Sequence, residues 1–276
     1  MVLSFWLAYL FTFLIILALF GGLYLYAYLK KRYNSVNIAY GIGFPVAAIL
    51  IGIFRGNLFI GQKLIATFLI LVTGVRLAVI HFLRNYGKDE ETGETRRFKE
   101  YRDHFGKSAS WKGFLFLYLP QAIAVMIIGF PVYAINYTVS SGWQGDGLFY
   151  LIGGIIWVGG FSLELVADLQ MWKFKINPTN QGKILRTGLW KYSMHPNYFG
   201  QIVQWCGFFV LGLITPSPYE VIGLISPIAI WVSLMFLSGI PLLDKRFQEN
   251  VDYQQYRRET NRLIPWFKKS SLSRKD

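Results

Sequence analysis

Acidic side chains are scarce in this 276-residue chain, where 15 Asp and Glu stand against 28 Lys and Arg. Charged residues of all kinds make up only 16% of it, against about 25% in an ordinary soluble domain. The shortage is uneven. No Asp, Glu, Lys, Arg or His occurs from Leu3 to Leu29, from Val36 to Phe54 or from Gly113 to Tyr137. Each run approaches or exceeds the ~20 residues needed to cross a hydrocarbon core ~30 Å thick. Buried helices of soluble proteins are seldom so long and so apolar, so a soluble fold is excluded. The single cysteine, Cys206, excludes an internal disulfide and any multi-cysteine metal centre, and no metal site is expected. The first apolar run has no basic segment before it and is too long for a cleaved signal, so it reads as a retained first helix.

Hydrophobic residues supply 54% of the chain. Seven spans are predicted, at about 3–29, 36–54, 64–83, 113–137, 148–172, 197–215 and 222–243. The expected fold class is therefore all-α and integral to the membrane. It is read as a single membrane domain over 1–276, with four N-terminal spans in 1–137 and a C-terminal part in 148–268. Spans one to four contain no Asp or Glu. With seven spans the two ends lie on opposite sides, and 25 of the 28 basic residues then share the side of the C-terminus. The positive-inside rule puts that side in the cytosol or the equivalent compartment of an organelle. The endoplasmic reticulum, a bacterial inner membrane and the mitochondrial inner membrane all fit. The net charge of +13 sits beside the spans, where anionic lipid headgroups are the ordinary partner. Nucleic acid is not expected, because no recognition motif accompanies the charge.

The densest polar cluster runs from Glu164 to Asn197. Glu164, Asp168 and Lys175 are spaced by four and seven, which sets them on one helical face. Carboxylates within a span default to a functional reading; the plainer account is a helix end solvated by headgroups. Asp168 and Lys175 are too far apart for a simple pair, which favours a shared third partner such as a ligand. A turn-rich stretch, Asn177 to Lys183, leads to a run from Leu189 to Gly200 in which Pro196 suits the first turn of a helix. Asn197 or Ser193 would cap it, and its N-terminal amides would then stand beside Arg186, Tyr192 and His195 as an anion site. The alternative is a re-entry turn whose Trp190, Tyr192 and Tyr198 anchor the interface.

The run Gly188-Leu189-Trp190-Lys191-Tyr192-Ser193-Met194-His195-Pro196-Asn197-Tyr198-Phe199-Gly200 resembles the C-terminal signature of the steroid 5-alpha-reductase superfamily. That superfamily includes the sterol C14 and C7 reductases and, more distantly, isoprenylcysteine carboxyl methyltransferase. Further stretches agree in order: Arg76 with Leu83-Arg84-Asn85, Glu164 to Lys175, Gly239 to Arg246, and Asp252-Tyr253 through Leu263-Ile264-Pro265-Trp266. The resemblance covers roughly residues 34–268 and is closest to an uncharacterised branch of membrane oxidoreductase-like proteins. It implies a seven-helix reductase fold that binds NADPH without a dinucleotide-binding sheet. By matching motif, Asp168, Lys175, Arg186, Trp190, Tyr192, His195, Asn197, Arg246 and Tyr253 would line the nucleotide, and Arg76 and Arg84 would approach it from the third span. A lipid-like substrate would enter among the first four spans. The implied chemistry is reduction of an enone or related activated double bond, a CH–CH oxidoreduction in which hydride transfer is accompanied by protonation.

This chain departs from the family pattern at three charged positions. Gln201 stands where relatives often carry Glu or Asp, Asn37 replaces an acid, and Met194 replaces an Arg. Asn and Gln cannot deliver a proton at neutral pH. Tyr40, near Asn37 in the second span, is then the best remaining proton donor, with Arg76 beside it as a second catalytic candidate. The plainer reading of Tyr40 is an interfacial aromatic. The same departures keep open a reductase-like protein without catalysis, serving as a subunit of a larger membrane complex such as a mitochondrial respiratory assembly. A methyltransferase ranks third, because its branch carries paired acids where this chain has Asp244-Lys245-Arg246.

Overall fold

A computed structural model describes residues 3–56, 61–85, 96–137, 147–213 and 218–267. Among them there is no strand, only one isolated parallel bridge between Ser193 and Asn261. The helices fall into two compact units, Met1–Asp146 with Gly212–Ile225 and Gly147–Leu211 with Ser226–Asp276.

In the first unit, α1 (Phe5–Lys30) and α2 (Ser35–Arg55) cover two of the charge-free runs, and α3 (Gln62–Asn85) is an apolar span that carries Arg76 and His81. The Ser4 hydroxyl opens α1 by accepting from the Leu7 N–H, and Lys31 closes it in the left-handed conformation (φ 52°). α2 packs against α1, α3, α6 and α7, and its sequence explains the central place. A Cβ on Gly41 would lie 2.7 Å from the Ala78 nitrogen and 2.8 Å from the Gly74 oxygen, so the backbones of α2 and α3 touch. With no hydrophobic driving force in lipid, such close small-residue contacts are how spans adhere.

Beyond α4 (Arg96–Phe105), the fourth span is broken. α5 (Ala109–Gly113) runs through a π turn at Phe114–Tyr118 into α6 (Leu119–Ile128), and α7 (Phe130–Tyr137) follows Gly129. The Val125 carbonyl accepts twice at the break, from the Gly129 N–H and from the Tyr133 hydroxyl, each at 3.0 Å, so the tyrosine ties α7 back to α6. Asn136 reaches back to α2 and α3, donating to the Ala48 carbonyl and the Thr67 hydroxyl at 3.0 Å each. Short α10 (Pro218–Ile222) packs on α7, with Tyr219 stacked on Phe5 at 4.3 Å between centroids.

The second unit is built on α8 (Gly147–Ile176) and α9 (Pro196–Gly212). The 30 residues of α8 extend about 45 Å, so its last turns project beyond a hydrocarbon core. Their seam is a ladder of glycines spaced seven apart. A Cβ on Gly160 would lie 2.6 Å from the Gln204 nitrogen and 2.7 Å from the Gly200 oxygen; one on Gly207 would lie 2.7 Å from the Trp157 nitrogen and 2.8 Å from the Gly153 oxygen. After α11 (Ile225–Val232), a π turn at Ser233–Leu237 leads to α12 (Ile240–Arg246), and α13 (Val251–Glu259) completes the unit.

Six described helical stretches are long and apolar enough to cross a membrane, so the chain is a multi-pass integral membrane protein. The remaining expected span, at 197–215, is α9. Its 17 residues reach only about 25 Å, and residues 214–217 lie outside the described ones.

Candidate functional site

The polar residues of the second unit are arranged along the α8–α9 seam and beyond its end. Glu164 and Asp168, one turn apart on α8, are both buried. Each takes an amide from α9: the Gln204 side chain donates to the Glu164 carboxylate, and Asn197 Nδ2 donates to Asp168 Oδ1 at 3.2 Å. The close approach that Gly160 and Gly200 allow makes these short side chains meet. Asn197 therefore does not cap its own helix. Lys175 lies exposed in the last turn of α8.

The loop between the helices is pinned on both sides. Gly188 has φ +61°, and a Cβ there would fall 2.6 Å from the Gln170 amide group, whose oxygen accepts from the Leu189 N–H at 3.0 Å. Trp190 is buried with Ala167 and Leu185, and its Nε1–H donates to the Ala167 carbonyl at 3.1 Å. On the other side, the segment after α13 runs along the loop. The Met194 N–H donates to the Asn261 carbonyl at 2.8 Å and the Trp266 N–H to the Tyr192 carbonyl at 3.1 Å. The Ser193 hydroxyl donates to the Leu263 carbonyl at 2.6 Å and accepts from the His195 N–H at 3.0 Å. Tyr256 donates to the carbonyls of Trp190 and Ser193. Arg186 donates to the Asp252 carbonyl, pairs with its carboxylate at 3.8 Å and lies 5.7 Å from the Tyr256 ring centroid.

Asp244 is the hub of the site. Its Oδ1 accepts from the Tyr253 hydroxyl at 2.7 Å. Its Oδ2 meets Arg262 in a close ion pair and Arg257 at 3.8 Å. His195, only 4% exposed, stacks on Tyr198 at 5.2 Å. Burial lowers its pKa from 6.5 to about 4, with Asp244 opposing and Arg262 adding to the shift. The imidazole is thus neutral at pH 7. Among the described residues its Nε2 has no hydrogen-bond partner, and neither has Asn197 Oδ1. Burial raises the Tyr253 and Tyr256 pKa values; the hydrogen bond to Asp244 adds to the first and Arg186 offsets the second.

Of the residues expected at the site, His195 and Tyr253 belong to the Asp244 group, and Asp168 and Asn197 bind each other. Arg186 and Trp190 are committed to holding the loop. Tyr192 and Arg246 are exposed, Arg246 over the Phe247 ring at 5.4 Å. Tyr40 and Arg76 belong to the first unit, on α2 and α3. Tyr40 is half-buried with its ring edge-on to Phe44 at 4.9 Å. The Arg84 side chain lies outside the described residues, as does Glu220. Sequence reasoning missed Asp244, Arg257, Arg262 and Tyr256 as members of the group. One signal was present, since Tyr253 and Arg257 are four apart on α13 and so share a face. Met194, an apparent loss of charge, packs with Tyr253 and Tyr256 in an apolar cluster. Among the described residues no cluster of His, Cys, Asp and Glu could hold a metal.

Spans and site together define the class, a multi-pass membrane protein with a polar, partly unsatisfied site beyond its C-terminal helix pair. Known sequences resolve it further. The chain belongs to the family described as protein of unknown function (DUF1295), which it matches over residues 23–260. It is also similar to 3-oxo-5-alpha-steroid 4-dehydrogenase 1 of Bos taurus, 33% identical over 66 residues, or 24% of this chain and 25% of that protein. The Macaca fascicularis protein of the same name is 37% identical over 67 residues, again 24% and 25%. That of Mus musculus is 34% identical over 59 residues, 21% and 23%. The chain thus matches about a quarter of the length of these relatives. No solved structure matches. These matches bear out membership of the steroid 5-alpha-reductase superfamily.

Proposed function

We propose that the chain is a membrane-embedded, NADPH-dependent reductase of a lipid or sterol-like enone or related activated double bond. The observation that carries this is the pair of buried, unpartnered polar atoms, His195 Nε2 and Asn197 Oδ1, beside the arginine-bearing Asp244 group. Buried polar atoms without partners are uncommon in a folded protein and call for an explanation; two of them two residues apart, next to charged groups, fit a bound ligand better than the scattered others do. The likeness to 3-oxo-5-alpha-steroid 4-dehydrogenases supports the reaction class.

The residues present fit such a cofactor. When bound, NADPH supplies the hydride that adds to the β carbon. Neutral His195 can donate or accept one hydrogen bond, and Asn197, its amide nitrogen held by Asp168, offers its oxygen to a donor. Arg186, Lys175, Tyr192 and Arg246 are proposed to supply donors and positive charge suited to phosphates, with Trp190 holding the loop and Tyr253, its O–H given to Asp244, able only to accept. In the first unit, the Tyr40 hydroxyl is proposed to give the proton and Arg76 to polarise the substrate oxygen. The C-terminal side is proposed to face the cytosol or its equivalent.

The test is equilibrium binding of NADPH to the purified protein in detergent. Binding that His195→Gln weakens supports the reading; no binding at millimolar cofactor ends it. Asn37 and Gln201 favour a second reading, a catalytically silent subunit of a larger membrane complex. A free monomer or small homo-oligomer on a native gel counts against that.

A further inference from the structure

The two arginines that meet at Asp244 carry more positive charge than that carboxylate neutralises. Arg257 and Arg262 approach the same oxygen, Oδ2, while Oδ1 is taken by Tyr253. Asp244 is largely covered, its side chain 16% exposed, whereas the arginine side chains are 45% and 43% exposed. Each guanidinium has five N–H donors. Apart from the contacts to Asp244, no described residue engages those of either. The other acids of α13 are held elsewhere: Asp252 pairs with Arg186, and Glu259 accepts from Gln255 at 2.8 Å. Two guanidinium groups held within a few ångströms by one carboxylate leave a net positive charge and several outward donors. The buried, unpartnered His195 Nε2 lies in the same group, close enough for Asp244 and Arg262 to act on its charge. A planar fork with spare donors is the ordinary receptor for phosphate oxygens, and two forks converging suit a dianion.

We propose that Arg257 and Arg262, ordered by Asp244, form a binding site for a phosphate monoester, with Asp244 as its positioning residue. This rests on reading the same group as a nucleotide site and names the phosphate it recognises: the 2′-phosphate that distinguishes NADPH from NADH. A lipid phosphomonoester has the same chemistry, so the experiment separates the two sources.

The full chain in detergent is titrated with adenosine 2′,5′-bisphosphate, with 5′-AMP, and with mixed micelles of phosphatidic acid against phosphatidylcholine. Arg257→Gln, Arg262→Gln and the double variant are compared with Arg258→Gln, which carries no role in the group. Circular dichroism melts confirm that each variant is folded. Arg262→Lys, which keeps the charge and loses the fork, serves where Arg262→Gln does not fold. The bisphosphate is expected to bind about tenfold more weakly to each single glutamine variant, the loss of one charge-assisted contact. Arg258→Gln is expected to match the parent, and 5′-AMP to be insensitive to all variants. Arginine-dependent binding of phosphatidic acid without bisphosphate binding would keep the phosphate site and remove the nucleotide reading. If neither phosphate distinguishes the Arg257 and Arg262 variants from Arg258→Gln, the proposal is overturned.

Discussion

Two glycines of the same helix should respond in opposite directions to one added methyl group. Gly160 lies on the α8–α9 seam, where a Cβ would stand 2.6 Å from the Gln204 nitrogen and 2.7 Å from the Gly200 oxygen; Gly154 has nothing within 4 Å. Ordinary contact begins near 3.4 Å, so Gly160→Ala forces the two backbones apart by about 0.8 Å, since neither obstructing atom can swing aside. The separation also lengthens the Glu164–Gln204 and Asp168–Asn197 bonds that depend on the approach. Alanine gains about 1 kcal/mol of helix propensity at either position, and the comparison of the two variants cancels that gain. What remains is the overpacking cost, about 1–3 kcal/mol. Reversible unfolding in mixed micelles should therefore show Gly154→Ala equal to or more stable than the parent, and Gly160→Ala less stable than Gly154→Ala by that amount. A gap below about 0.3 kcal/mol, well under the expected overpacking cost, would show that the backbones do not meet at Gly160.

Three further outcomes follow from the second unit. His195 has a folded pKa depressed from 6.5 to about 4; its contribution is full above pH 6.5 and declines as pH falls toward 4, by up to about 3 kcal/mol. The stability difference between parent and His195→Gln should shrink across that window, and a constant difference would show that folding does not shift the imidazole pKa. Asn197→Leu removes the amide that Asp168 accepts and should cost about 1–3 kcal/mol, whereas the double change to Asn197→Leu with Asp168→Leu should recover part of it; calorimetry reads both. Gly188→Ala meets the Gln170 amide and a left-handed backbone at once and should cost more than about 1 kcal/mol, with increased protease cleavage between residues 186 and 192.

How much of this was legible beforehand depended on whether the signal was local. The spans around α1 and α2 could be read because an unbroken apolar run encodes its own environment, and α3 because its apolar length outweighs Arg76 and His81. The break at Gly129 went unread, although Pro131, which has no N–H to give the helical ladder, sits just beyond it. Glu164 and Asp168 were correctly placed on one face, but the spacing suggested Lys175 and a ligand as partners. Their amides come instead from Asn197 and Gln204, 29 and 40 residues away in sequence, through a glycine seam that periodicity does not reveal. Asp244 read as one acid beside two basic neighbours; its partners Arg257 and Arg262 arrive through the turn into α13. Met194 read as a missing arginine because a resemblance reports what relatives carry, not the tyrosines that surround the position here.

The strap of hydrogen bonds that joins Asn261, Leu263 and Trp266 to the Tyr192–Met194 turn bears on how the protein is made. Every described candidate span precedes that strap in the chain, so these can be inserted before the turn has anything to hold it. The strap and the ion pairs of Asp244 with Arg257 and Arg262 can therefore form only once the described spans have been synthesised. A chain truncated before residue 261 would keep the described spans and yet lack the bonds to the turn before His195, which separates the signals for insertion from those for the site.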